Sequence, residues 1–272
     1  MTRIVAPLVM IASLAQVVLA DDPHQRISPG GPIGAYSVEQ WKKDWPGCRY
    51  EDGVKEGRLS IVQTANGPAF RVDYAIGEIG PAQGGAGWRF PIKQADCAEL
   101  TYTLAFTKDF DWVKGGKLPG LSGGPDSVTG GNPANGRNGF SVRLMWRKDG
   151  RGEAYVYHMH QPGKYGESLS FPPDFRFPTS DEIKIRLRVS LNKIGQRNGK
   201  LDVWAGSPGS STETHLLSRS DMEWRSDPSL SIDSLLFETF HGGGDETWAP
   251  RHKSSTTFSN ISIAWPQHPT DK

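Results

Sequence analysis

Net charge is almost absent from this chain: 31 basic residues stand against 30 acidic ones. Loss of Arg3 with an N-terminal leader, 31 − 1, leaves 30 against 30. No global field then marks a nucleic acid or any other polyanion as partner, and a site for an anionic ligand must be local. Long apolar runs are absent beyond the first 20 residues, so no membrane partner is expected for the body of the chain. A convincing helical period is absent, as are an internal repeat and a second domain. Cysteine is scarce, with only Cys48 and Cys97. No strand carries Glu-x-Asp-x-Glu, the paired-carboxylate spacing sought for a jelly-roll glycoside hydrolase.

Residues 1–20, MTRIVAPLVMIASLAQVVLA, put one basic residue before an apolar run that ends Val18-Leu19-Ala20. The run is short for a span and has small residues where a signal peptidase cuts, so it predicts a signal peptide cleaved after Ala20 and a secreted protein, extracellular or periplasmic. In an exported protein the pair Cys48 and Cys97 predicts a disulfide, worth roughly 4 kcal/mol in the chain-entropy account. Asn260-Ile261-Ser262 is a glycosylation sequon if the host is a eukaryote.

Glycine (32) and proline (20) are plentiful, and between them lie short runs of period two. Leu100, Tyr102, Leu104 and Phe106 form one; Ile183, Ile185, Leu187 and Val189 form another. Such strands have one buried face. Residues 21–45 read as an extended lead-in and 46–268 as one all-β domain, an antiparallel β-sandwich or jelly roll. A monomer is expected.

Two strands have an unusual polar face. Phe140, Val142, Leu144 and Trp146 fill the core, which turns Ser141, Arg143 and Met145 outward. The next strand places Glu153, Tyr155 and Tyr157 on one face. A three-residue loop at Lys148-Asp149-Gly150, with Gly150 left-handed, pairs Arg143 with Tyr155 and Ser141 with Tyr157, and keeps the other face apolar. That cluster suits β-elimination from an O4-linked uronic acid. The C5 proton is weakly acidic beside its carboxylate. A cation must neutralise that carboxylate, and a base and an acid must flank C5 and O4. A tyrosine whose pKa is lowered by a nearby cation can serve. Ordinary strand tyrosines are the competing reading. The glycine-dense segment 110–124 reads as a loop that lets Lys117 approach a ligand. Leu118-Pro119 denies it the Ser or Thr and the helix of a nucleotide loop.

Gly115-Gly116-Lys117-Leu118-Pro119-Gly120-Leu121, then Ser141-x-Arg143, then Tyr155-x-Tyr157, with Phe240-His241-Gly242-Gly243-Gly244-Asp245-Glu246-Thr247-Trp248-Ala249 near the end, resembles polysaccharide lyase family 14 and the related glucuronan lyases. The resemblance spans roughly residues 50–265. It implies a jelly roll with a cleft across a concave sheet, and cleavage of alginate or β-1,4-glucuronan. It also implies that Lys117 matters for activity, that Ser141 and Arg143 contact substrate, and that one of Tyr155 and Tyr157 moves protons. The stretch His158–Gly166 departs from the alginate-lyase pattern, which leaves the uronan open. His158 and His160 titrate near neutrality and are candidate substrate contacts. Lys164 and Tyr165 are expected to close one end of the cleft, and Arg186 and Arg188 to extend it. No cofactor and no catalytic metal are expected; a structural calcium would be invisible in sequence. A lectin-like binding module and a glycoside hydrolase remain as rivals.

Overall fold

The computed structural model describes residues 24–267; the expected leader lies outside the described residues. Its elements in chain order are β1 (His24–Ile27), β2 (Gly34–Ala35), α1 (Val38–Asp44), β3 (Leu59–Thr64), β4 (Gly67–Tyr74), β5 (Ala86–Ala95), β6 (Cys97–Phe106), β7 (Gly115–Gly123), β8 (Phe140–Arg147), β9 (Gly152–Tyr157), β10 (Glu167–Ser170), β11 (Ile183–Ser190), β12 (Gly199–Gly206), β13 (Thr214–Met222), β14 (Ile232–His241) and β15 (Ser254–Ala264). They form two antiparallel sheets. One has nine strands, ordered β13-β12-β11-β6-β15-β4-β3-β2 with β1 also on β15; the other has six, ordered β10-β9-β8-β7-β14-β5. This is the all-β jelly roll that the alternating pattern predicts.

The two sheets differ in what they do with their outer faces. In β11, Ile185, Leu187 and Val189 are buried while Lys184, Arg186 and Arg188 are not, as expected of a strand with one wet face. In β8 every residue but Arg147 is buried, and β14 is nearly as enclosed. The inner residues of both enter the core. Their outer residues are therefore covered from above, which marks the outer face of the six-stranded sheet as the place for a site.

From residue 24 onward, the segment expected as an extended lead-in carries β1, β2 and α1. Ser37 caps α1, accepting from the Gln40 amide, and β1 pairs with β15. The helix carries Trp41 into the core, and Trp45 follows it. Trp45 packs edge-on against Trp88, which stacks on Phe237 at 4.5 Å between centroids. Seven helical residues are too few to leave a period in the sequence. Burial of two tryptophans holds the helix.

The disulfide expectation is corrected: both cysteines are free thiols. Cys97 begins β6 and contacts the Ser190 hydroxyl at 3.2 Å. Cys48 packs against the core after α1, and burial pushes its thiol up to about 12. Neither thiol has the other for a partner, so the sandwich holds by its core.

Candidate active site

The hairpin β8–β9 sets the register. Arg147 and Arg151 close a three-residue loop in which Asp149 (φ 59°) and Gly150 (φ 74°) are left-handed. Arg143 then pairs with Tyr155 and Ser141 with Tyr157, as the sequence predicts. The segment around Lys117 is not a loop. Gly115–Gly123 is β7, a central strand between β8 and β14. Its glycines answer crowding: a Cβ at Gly116 would strike the Trp146 ring, and one at Gly120 the Val142 carbonyl oxygen. Pro119 sits where the β7–β8 register shifts, a place in a sheet that tolerates a missing N–H.

One row of paired positions crosses five strands: Tyr155, Arg143, Gly120, Leu236 and Arg89. Alternation puts Lys117, Met145 and Glu238 on the same outer face. The Lys117 Nζ lies 2.7 Å from the Met145 Sδ and 3.6 Å from the centroid of the Tyr155 ring. Burial pulls the Lys117 amine well below the ordinary lysine range, and the nearby Arg143 and Arg147 add to this. The Tyr155 ring favours the charged form, but such contacts are worth about 0.5–2 kcal/mol. Desolvation of a buried amine can be worth several times that, so it sets the direction of the shift.

Arg143 bonds Glu238 at 2.5 Å, with both side chains nearly enclosed. The Arg143 Nε is buried without a partner. Glu153, on the same face, is taken by Arg147 at 2.6 Å and by the Ser168 hydroxyl. Tyr155 is half-buried. Burial pushes its hydroxyl up to about 12, Tyr157 pushes the same way, and Arg143 and the Gly166 amide oppose. The expected tyrosine of lowered pKa is thus not found at Tyr155.

Tyr157 lies under a cover. The connection 124–139 folds over it with Val128 and Ala134, leaving it 1% exposed. Its hydroxyl accepts from the Gly131 amide at 3.0 Å. Ser141 serves the same cover, donating to the Val128 carbonyl at 2.6 Å. That spends its hydroxyl on the loop rather than on a ligand. Lys164 and Tyr165 flank Gly131, with Tyr165 60% exposed, so both stand on the rim of this cover.

Four expected contacts lie elsewhere. His158 follows the end of β9, turns toward Trp224 and bonds Glu167 at 2.7 Å. His160 bonds Glu223. The two histidines have different carboxylates and share no ligand point. Arg186 and Arg188 stand on the outer face of the nine-stranded sheet, the opposite side of the sandwich. They pair with Glu99 there, Arg186 also with Glu213, and Arg186 stacks on Trp204 at 3.7 Å. They extend no cleft around Tyr155. Sequence reasoning gave no role to Met145 or Tyr50. The outward alternation of β8 marks Met145, but nothing local marks Tyr50. Tyr50 is 41% exposed, yet its hydroxyl is pushed up by partial desolvation, with Glu238 and Asp52 adding to this and Arg143 and Arg89 opposing.

The model of polysaccharide lyase family 14 matches residues 62–261. The chain belongs to this family. The match takes in every strand of the site, from β5 to β14, and the chain is a polysaccharide lyase. Among solved structures, the marine PL-14 alginate lyase from Aplysia kurodai is 25% identical, with a TM-score of 0.77 over 89% of this chain and 98% of that one. Alginate lyase Aly36B is 24% identical, with a TM-score of 0.74 over 90% and 98%. The endo-β-1,4-glucuronan lyase from the fungus Trichoderma reesei is 9% identical, with a TM-score of 0.54 over 86% and 94%. The likeness to the last two is one of fold. No curated protein sequence matches the chain significantly.

Proposed function

We propose that this lyase cleaves a polymer of O4-linked uronic acid, alginate in the first instance, by β-elimination, and that Lys117 is its base. The observation that carries the reading is the Lys117 amine, desolvated beside two arginines and held against Tyr155 and Met145. A neutral amine can take the C5 proton, which a lysinium cannot. The C–H electron pair forms the C4–C5 double bond, and the C4–O4 bond breaks with its pair on oxygen. Tyr155 keeps its proton at neutral pH and delivers it to O4. The Lys117 ammonium formed in the first step lies against the Tyr155 ring and returns the proton to the phenolate. Arg143 stabilises the charge that builds on the substrate carboxylate. Its unpaired Nε leaves it a donor beyond the bond to Glu238.

The Aplysia enzyme and Aly36B are alginate lyases by name, and Aly36B mutants have been solved with alginate tri- and tetrasaccharides. That favours alginate over glucuronan here. A hydrolase finds less support, because Glu153 and Glu238 on this face are each held by an arginine. Export by the leader of residues 1–20 belongs to the same reading.

The test is a panel of alginate, polymannuronate, polyguluronate, glucuronan and hyaluronan, followed by the ultraviolet absorbance of an unsaturated uronate. Absorbance should rise with alginate. New reducing ends without absorbance would mean hydrolysis, and neither signal would leave only binding.

A further inference from the structure

The face that carries Tyr155 continues past the reacting groups into a second feature. A groove of about 430 Å³ opens at the far edge of the six-stranded sheet, where Arg49, Arg89 and Arg137 converge. Arg89 is fully occupied. It bonds Ser234, Asp233 and the Gly124 carbonyl, and so pins the connection 124–139 to β5 and β14. Asp233, the one carboxylate among the described residues that line the groove, is taken by Arg89 and by the Gly124 amide. Arg49 and Arg137 differ. Both are exposed, and among the described residues neither guanidinium has a hydrogen bond or ion pair. Arg137 is felt by Asp227, but the Asp227 carboxylate is already bonded to Ser229. Two cations thus face one groove without a bonded counter-charge.

Position ties the groove to the reaction. The row from Tyr155 to Arg89 crosses four strand spacings, about 19 Å. Tyr50 is exposed two residues before Asp52, whose backbone bridges Gly87 of β5 opposite Glu238, the partner of Arg143. A polymer laid across the strands from Lys117 passes Tyr50 and enters the groove. A polyuronate carries a carboxylate on every residue, so it brings negative charge there at whatever register it binds.

We propose that Arg49 and Arg137 form a distal subsite for a uronate carboxylate several residues from the bond that breaks. This rests on the polyuronate reading above. The subsite supplies two exposed cations without a bonded counter-charge, whereas Lys117, Arg143, Arg147 and Arg89 are paired or desolvated. The loop that covers Tyr157 also carries Arg137, so substrate in the groove contacts the same segment that encloses the phenol.

The test is R49Q/R137Q, with a thermal melt as the folding check, on oligouronates from trimer to dodecamer. For the wild type, KM should fall with chain length until the oligomer reaches the groove. In the variant that fall should flatten, with KM for the longest oligomers raised about ten-fold at low salt and less at high salt. Superimposed curves would overturn the proposal. So would an equal rise at every length, which signals only the general field of the protein. Calorimetry with oligouronates, and with neutral cello-oligosaccharides as control, judges the groove separately from catalysis. Length-dependent uronate binding lost in the variant supports the subsite even if no unsaturated product forms, and equal binding by both proteins refutes it. A wild type that makes no unsaturated product overturns only the elimination reading.

Discussion

Replacing Lys117 by methionine should abolish turnover and stabilise the fold, and the two effects have one cause. The amine is held well below the ordinary lysine value of 10.5, chiefly by burial. A folded-state pKa below the unfolded one means that the unfolded chain binds the extra proton between those two values. Stability of the wild type must therefore rise with pH across that window, as the penalty for the buried amine fades. The penalty is fully present below the depressed pKa and gone above about 10.5. Methionine removes it at every pH while keeping much of the length and apolar contact. The lost contact with the Tyr155 ring opposes this, by about 0.5–2 kcal/mol. The melting-temperature advantage of Lys117→Met should thus be widest in acid and shrink to nothing or reverse by pH 10.5. Catalysis should move the other way. General-base groups contribute about 10²–10⁴-fold, or about 2.7–5.4 kcal/mol of barrier. The assay is kcat on alginate by product absorbance, beside melts at several pH values. The wild-type kcat should also climb as pH passes the depressed lysine value and fall only toward about 12, where Tyr155 loses its proton. Turnover within ten-fold of wild type, or a stability gap that does not vary with pH, would refute the neutral-amine argument.

The two tyrosines should separate. Tyr155→Phe removes the proposed acid and should cost kcat about 10²-fold or more with the melting temperature little changed. Tyr157→Phe loses the bond from Gly131 and should cost about 0.5–1.5 kcal/mol of stability, visible as easier proteolysis of the 124–139 cover. The Arg143–Glu238 pair should behave as a buried ion pair in a double-mutant cycle. Arg143→Leu or Glu238→Leu alone strands a charge and should cost about 3–5 kcal/mol, while the double variant recovers most of it. Additive losses in denaturant unfolding would contradict the pairing. Arg186→Gln with Arg188→Gln should leave KM for alginate unchanged, because both lie on the opposite sheet; a raised KM would return them to the cleft. Unfolding without reductant should expose both thiols to alkylation, and a protein that takes up no label would restore the disulfide.

Much of the sheet was legible because its register is a local property. The apolar alternation of residues 140–146 and the turn at Lys148-Asp149-Gly150 fix the pairing of Arg143 with Tyr155, and both lie within 18 residues of chain. Charge state is not local in this sense. The Lys117 amine is depressed chiefly by burial and then by Arg143 and Arg147 from β8, none of which its glycine-rich neighbourhood announces. Those glycines pointed to a loop because close approach of a ligand and close approach of a neighbouring strand leave the same mark. Arg186 and Arg188 misled for a related reason. Alternation shows that a side chain leaves the core, but a sandwich has two outer faces, and only pairing across sheets tells them apart. Ser141 and Tyr157 were found by motif, yet their hydroxyls hold the 124–139 cover. The physical content of the motif is therefore divided. Lys117, Arg143 and Tyr155 carry the proposed chemistry, while Ser141 and Tyr157 fix the wall beside it. Tyr155 packs against that wall on one side and against the Lys117 amine on the other, so the wall reaches the amine through the ring. Loosening the wall should therefore free the Tyr155 ring, admit water to the amine and raise the lysine pKa toward its ordinary value before the sheet unfolds.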